Sequence, residues 1–218
     1  TEAIRLDPEH YAPFFNRAMA YEILGEPQNM VDDYTKAISL DPDNSEGLRA
    51  YAFKHRGLAY LRLEQYQNVI DDCTEAIRLN PDDFHVFANR AIAYRNQSEW
   101  QKEMDDFTEA IRLEPNDHTL FHARGLTCIR RGEYQEAIDD YTEAIRLMGE
   151  VGESRQLLDA LDWRGNAYEY LSDYQGALDD CTEAIRLDPD NAKWFSKRAS
   201  IYEEMDEYES AVDDYTDA

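Results

Sequence analysis

An all-α solenoid of helix-turn-helix repeats is the fold class this sequence predicts, and three observations predict it. A short phrase recurs six times: DDYTKAISL from Asp32, DDCTEAIRL from Asp71, DDFTEAIRL from Asp105, DDYTEAIRL from Asp139, DDCTEAIRL from Asp179 and DDYTDA from Asp213. A further copy, TEAIRLDP, begins at Thr1. The prolines that follow the phrase return after 34 residues, from Pro8 to Pro42 and from Pro81 to Pro115. Within each period the apolar spacing is helical twice over. Self-similarity at such a period marks stacked repeats, each unable to bury its apolar face alone.

The elements follow in order from that period. Phe87, Ala91 and Tyr94 recur at i, i+4 and i+7, and Trp100, Met104, Phe107, Ala110 and Ile111 resume the pattern after a break. Each stripe reads as the buried face of an amphipathic helix. Gly25, Gly132 and the turns around Pro42, Pro81 and Pro189 supply stops and starts. One array is expected over residues 1–218. Residues 1–10 hold a partial repeat, a second helix only, and 11–44 the first whole repeat. Residues 45–83 form the second, lengthened by five residues near Ser45 to Arg49. Residues 84–117 and 118–149 form the third and fourth. Residues 150–191 form the fifth, lengthened near Gly149 to Ser154, and 192–218 a truncated sixth.

Cys73 and Cys181 occupy the slot of Tyr34, Phe107, Tyr141 and Tyr215, and Cys128 replaces Tyr21, Tyr60, Tyr94, Tyr168 and Tyr202. These are core slots, so the thiols read as small buried hydrophobes in a reducing compartment, with the cytoplasm expected. Trp100 and Trp194 read as core. Lys and Arg number 22 against 47 Asp and Glu, a formal charge of −25. That excludes bulk binding to nucleic acid or to anionic membranes, which Lys and Arg contacts hold. No apolar run reaches a membrane-spanning length, so no membrane insertion is expected. The chain starts inside a helix, so the native N-terminus is expected to be missing.

The period and its residues resemble the tetratricopeptide repeat family, with the pattern W-x2-L-G-x2-Y, A-x3-F and P. The fourth unit shows Phe121, Gly125, Ala137, Tyr141 and Ala144. The fifth shows Leu161, Gly165, Tyr168, Ala177, Cys181, Ala184 and Pro189. The resemblance covers essentially the whole chain and implies a right-handed superhelical solenoid that binds other proteins. One departure is systematic. Arginine precedes the Gly or Ala in every unit, at Arg17, Arg56, Arg90, Arg124, Arg164 and Arg198. This row could read a ligand. A structural ladder, each Arg paired with the Asp-Asp of its second helix, is the expectation, because partly buried Arg takes a carboxylate partner.

In the family the first helices line the concave face, through repeat positions 2, 5, 6, 9, 12 and 13. Alignment on Gly57, Ala91 and Gly125 places eighteen residues there, none acidic, with four Lys or Arg and three His. The candidate peptide-binding residues are Lys54, His55, Leu58, Arg62, His85, Asn89, Ile92, Arg95, Asn96, His122, Leu126 and Arg130. A locally basic, partly apolar groove suits an extended acidic peptide. The bland alternative is that these bases balance acidic neighbours. Trp163 maps to the same face as an anchor, or packs over the inserted segment before it. A clamp for the C-terminal tail of chaperones, as some family members possess, matches only at Lys54 and Asn89, so a chaperone-tail adaptor is a minor alternative.

Patterns for other chemistry are incomplete in this sequence. His118 and His122 stand four apart but lack a third ligand at matching spacing. Asp41, Asp43 and Ser45 begin like a calcium loop, but Glu46 and Ala52 break it. No phosphate-binding or nucleophile motif occurs. No catalytic residue, metal or cofactor is therefore expected. A protein–protein interaction scaffold is the expected function. A self-assembly or regulatory spacer of a larger protein is the alternative, since both ends stop inside second helices and end-to-end stacking into a homo-oligomer would cover them.

Overall fold

The computed structural model describes residues 2–41, 45–149 and 154–217. Thr1, Pro42, Asp43, Asn44, the bulk of the second insertion and Ala218 lie outside the described residues. Among those described, thirteen α-helices and no strand occur. The chain forms two compact units, residues 1–115 and 116–218.

The first unit opens with α1 (Glu2–Leu6). Three hairpins follow: α2 (Tyr11–Leu24) with α3 (Pro27–Leu40), α4 (Glu46–Arg62) with α5 (Tyr66–Leu79), and α6 (Phe84–Asn96) with α7 (Trp100–Leu113). The second unit pairs α8 (His118–Arg131) with α9 (Tyr134–Met148), α10 (Ser154–Tyr170) with α11 (Tyr174–Leu187), and α12 (Ala192–Glu204) with α13 (Tyr208–Asp217). Within each unit hairpin stacks on hairpin in chain order, the solenoid arrangement the period predicts. The insertions add helix: α4 and α10 have 17 residues where the other first helices have 13 or 14.

Each hairpin turns the same way. A single residue takes the left-handed conformation two positions before the second helix: Gly25, Glu64, Ser98, Gly132, Ser172 and Asp206, with φ between 58° and 76°. The next backbone N–H then reaches back to a first-helix carbonyl, as from Glu99 to Tyr94 at 2.9 Å and from Asp173 to Tyr168 at 2.9 Å. That contact satisfies a carbonyl the helix end would otherwise leave open. First helices start on polar caps: the Asp83, Asp117 and Asn191 side chains each accept a backbone N–H two residues on.

The core lies where hairpins meet. In the first unit Met30, Tyr34, Ala18 and Ala52 close completely around the α2–α3–α4 junction. Val69, Cys73 and Val86 do the same around α5 and α6. In the second unit Ala177, Leu178, Cys181 and Ile201 form the equivalent cluster. All three cysteines are buried and unbridged, in the core slots expected of them. Two core expectations are corrected. Trp100 is 37% exposed, because it opens α7 at the hairpin rim, where an indole is too large to cover. Tyr215 is 47% exposed although Tyr34 and Tyr141 in the same slot are sealed, because no later first helix packs on α13 among the described residues.

Candidate functional site

The arginine row sits between the two helices of every hairpin. Arg17, Arg56, Arg90, Arg124, Arg164 and Arg198 reach Asp33, Asp72, Asp106, Asp140, Asp180 and Asp214 at 2.5–2.8 Å. In each pair Nε and a terminal nitrogen donate to the carboxylate, the planar fork that Arg makes and Lys cannot. The partner is always the second Asp of the phrase. Arg56 and Arg90 in the first unit, and Arg164 and Arg198 in the second, also donate to a threonine of the preceding hairpin, Thr35, Thr74, Thr142 and Thr182. Burial pushes the carboxyls of Asp72, Asp106, Asp140 and Asp180 above their ordinary range, against the pull of their arginines.

In the first unit the first helices α4 and α6 touch. The Lys54 ammonium lies 2.7 Å from Asp83, the residue that caps α6. The His55 ring stacks on Tyr51, with centroids 4.0 Å apart, and its Nδ1 lies 2.9 Å from the Glu22 carboxylate. Burial pushes the pKa of His55 below its ordinary value, although Glu22 opposes this. Arg95 stands 3.8 Å from Glu103, which is fully buried in α7. Leu58, Asn89 and Ile92 are half-buried between them. The Asn96 amide donates to the Ile92 carbonyl of its own helix. Arg62 and His85 are exposed, and His85 lies against Phe84. The expected excess of positive charge is therefore smaller than the residue count suggests. Lys54, His55 and Arg95 each face a carboxylate supplied from outside the eighteen positions.

The second unit is built differently. A cavity of about 470 Å³ opens beside α10, lined by Ile129, Trp163, Asn166, Glu169 and Tyr170. Trp163 is 36% and Tyr170 66% exposed. Tyr170 stacks on Tyr134, with centroids 4.4 Å apart and planes 7° from parallel. Behind them Lys197 of α12 donates to the Asp162 carboxylate at 2.7 Å, the Asp162 carbonyl at 3.2 Å and the Asn166 side-chain oxygen at 2.7 Å. Lys193 takes the other Asp162 oxygen at 2.6 Å. Burial opposes ionisation of Asp162, but the two lysines outweigh it and hold its carboxyl below the ordinary range. Glu169 is left with Oε1 buried and accepting no hydrogen bond. Lys197 stands 3.6 Å from that oxygen, too far for one.

His122 and Leu126 lie half-buried on α8, and Arg130 is exposed near its end. His122 meets Tyr141 edge-on at 5.3 Å, and burial pushes its pKa below its ordinary value. His118, His122 and Asp159 border a smaller cavity of about 160 Å³. No group of three or more His, Cys, Asp or Glu able to hold a metal occurs among the described residues. No helix there is long and apolar enough to cross a membrane. The inserted stretch before Trp163 lies for the most part outside the described residues. Sequence reasoning singled out Trp163 but not Asn166 or Lys197. Carrying the six-position mapping into the last two units puts Asp162, Asn166 and Glu169 beside Lys197, so the signal was present.

Tetratricopeptide repeat family models match residues 12–44, 50–83, 118–150 and 163–191, together more than half of the chain. No curated protein matches the sequence significantly. Among solved structures, a tetratricopeptide repeat protein from Parabacteroides merdae matches with a TM-score of 0.72 at 18% identity, over 94% of this chain and 77% of that one. YrrB, described as a TPR protein with an unusual peptide-binding site, matches with a TM-score of 0.71 at 23% identity, over 88% of this chain and 93% of its own. MamA from Desulfovibrio magneticus matches with a TM-score of 0.65 at 18% identity, over 77% and 92%. At these identities the likeness is one of fold.

Proposed function

Because the chain belongs to the tetratricopeptide repeat family, whose repeats are protein–protein interaction scaffolds, we propose that it binds an extended peptide segment of a partner along its first helices. The observation that supports this most is the pair of exposed rings, Trp163 and Tyr170, standing over a cavity on α10. Aromatic side chains bordering a pocket are the groups that dominate binding energy at interfaces. YrrB, with its peptide-binding site, shares the fold. Binding rather than catalysis also fits the thiols: burial pushes the pKa of Cys73, Cys128 and Cys181 up to about 12, which leaves no thiolate at neutral pH. A preference for acidic segments would rest in the first unit on Arg62 and His85, because Lys54, His55 and Arg95 already face carboxylates.

Affinity capture from the source lysate, read by mass spectrometry, tests the proposal. Two variants are compared with the parent: Trp163→Ala with Tyr170→Ala, and Arg62→Glu with His85→Glu. Partners lost from the first variant, with helix content intact, support the aromatic face as the site. Partners rich in acidic segments and lost from the second support the acidic preference. Capture unchanged by both removes the first-helix face from consideration.

A further inference from the structure

The cavity on α10 has a chemistry of its own. We propose that it receives a cationic side chain, arginine or lysine, of the bound segment. This deepens the peptide-scaffold reading and rests on it. Two of the five lining residues offer aromatic surface, Trp163 and Tyr170, and one alone is charged, Glu169. An indole face is the best aromatic partner for a cation, and a guanidinium can also stack on it.

The state of Glu169 decides the sign of the guest. An ammonium has three N–H donors. Those of Lys197 are accounted for by the Asp162 carboxylate, the Asp162 carbonyl and Asn166. Lys193 is turned to the other oxygen of Asp162 and stands 4.4 Å over the Trp194 ring, which does not line the cavity. The Glu169 carboxylate thus borders the cavity with the Lys197 ammonium 3.6 Å from its inner oxygen but with no hydrogen-bond donor on it. Residues 116–218 hold 25 acidic against 10 basic side chains, so the field around the unit also draws cations. A carboxylate guest would meet Glu169 at close range. An apolar guest would use the rings and leave the carboxylate without a hydrogen-bond donor.

Fluorescein-labelled octapeptides of alanine and serine, with Arg, Lys, norleucine or Glu at the centre, test the inference by fluorescence polarisation against the full 218-residue chain. The Arg and Lys peptides are expected to bind about tenfold more tightly than the norleucine peptide, a difference of about 1.4 kcal/mol. Glu169→Gln should remove most of that difference and leave the norleucine affinity within about twofold. Asp190→Asn, at an exposed site away from the cavity, should leave it intact. Thermal melts of each variant establish that the fold survives. Equal binding of norleucine and Arg peptides, unaffected by Glu169→Gln, would overturn the cationic guest and leave the peptide scaffold standing. Equal losses in Glu169→Gln and Asp190→Asn would reduce the effect to general attraction and also overturn it. Absence of binding by every peptide, while lysate partners are still lost on Trp163→Ala with Tyr170→Ala, would do the same.

Discussion

In the first unit three cations of the first helices meet carboxylates of their own fold; in the second it is a carboxylate that is saturated, and aromatic rings remain uncovered. Lys54, His55 and Arg95 face Asp83, Glu22 and Glu103. Asp162 instead gathers two lysines, and Glu169 has Lys197 3.6 Å away but accepts no hydrogen bond at its inner oxygen. The contrast arises from what the neighbouring elements present: a cap and second-helix or preceding-hairpin carboxylates in the first unit, and the lysines of α12 in the second. An ion held at 2.7 Å by a half-buried partner has little left for a guest whose own charge is screened by salt. The sign of a side chain therefore says less about recognition than whether the fold has already matched it.

The largest expected effect tests what the two units share. Arg56→Ala in the first and Arg164→Ala in the second each leave a buried aspartate without its partner. Each is expected to lower stability by about 3 kcal/mol, read from the urea-denaturation midpoint. Arg17, whose side chain is 34% exposed, should cost only about 1 kcal/mol on the same change. A small loss at Arg56 or Arg164 would mean that water reaches the ladder and that its aspartates are not truly buried.

The next effect should separate the units. Lys197 is 15% exposed and makes three hydrogen bonds, whereas Lys54 is 24% exposed and makes one. Lys197→Met is expected to cost about 2 kcal/mol and Lys54→Met about 1 kcal/mol. Equal losses would erase the distinction between an organised polar network in one unit and a single ion pair in the other.

The fold was legible because a repeat states its period many times over. Both helices, the turn and the arginine row each appear in six copies, so one noisy copy misleads little. The site was legible only in part. Position alone put Trp163 on the first-helix face, but it could not show which cations there already face carboxylates, because Asp83 is a cap before α6 and Glu103 lies on a second helix. Neither belongs to the six mapped positions. Trp100 misled for a different reason: apolar periodicity says which face a residue occupies, but not whether the hairpin rim is deep enough to cover it.

A pH titration carries the comparison to the histidines. Burial depresses His55 in the first unit and His122 in the second below the ordinary value of 6.5, although Glu22 faces the one and Asp159 lies near the other. The unfolded chain therefore takes up protons first as the pH falls. The stabilisation tied to each neutral ring is complete above about 6.5 and is lost as the pH drops through the folded-state values. Nuclear magnetic resonance titration should find both midpoints below 6.5, and His55→Phe and His122→Phe should each flatten the fall in stability between pH 7 and pH 5. A midpoint at or above 6.5 would show that burial of this ring does not outweigh the carboxylate beside it.

The smallest effect asks whether the hairpin turns of the two units are equivalent. The left-handed slot holds glycine once in each unit, at Gly25 and Gly132, and a residue with a Cβ elsewhere, such as Ser98 and Ser172. A Cβ at Gly25 or Gly132 would meet nothing within 4 Å, so substitution there costs backbone strain alone. Gly25→Ala and Gly132→Ala are each expected to lose about 1 kcal/mol. Ser98→Gly and Ser172→Gly should gain about 0.5 kcal/mol, the relief of strain exceeding the added freedom of the unfolded chain. Matched values in the two units would show that the turns are interchangeable parts, so that the functional difference lies in the helix faces. A gain confined to Ser172→Gly would mean that strain at that turn helps to hold the end of α10, where Glu169 and Tyr170 border the cavity.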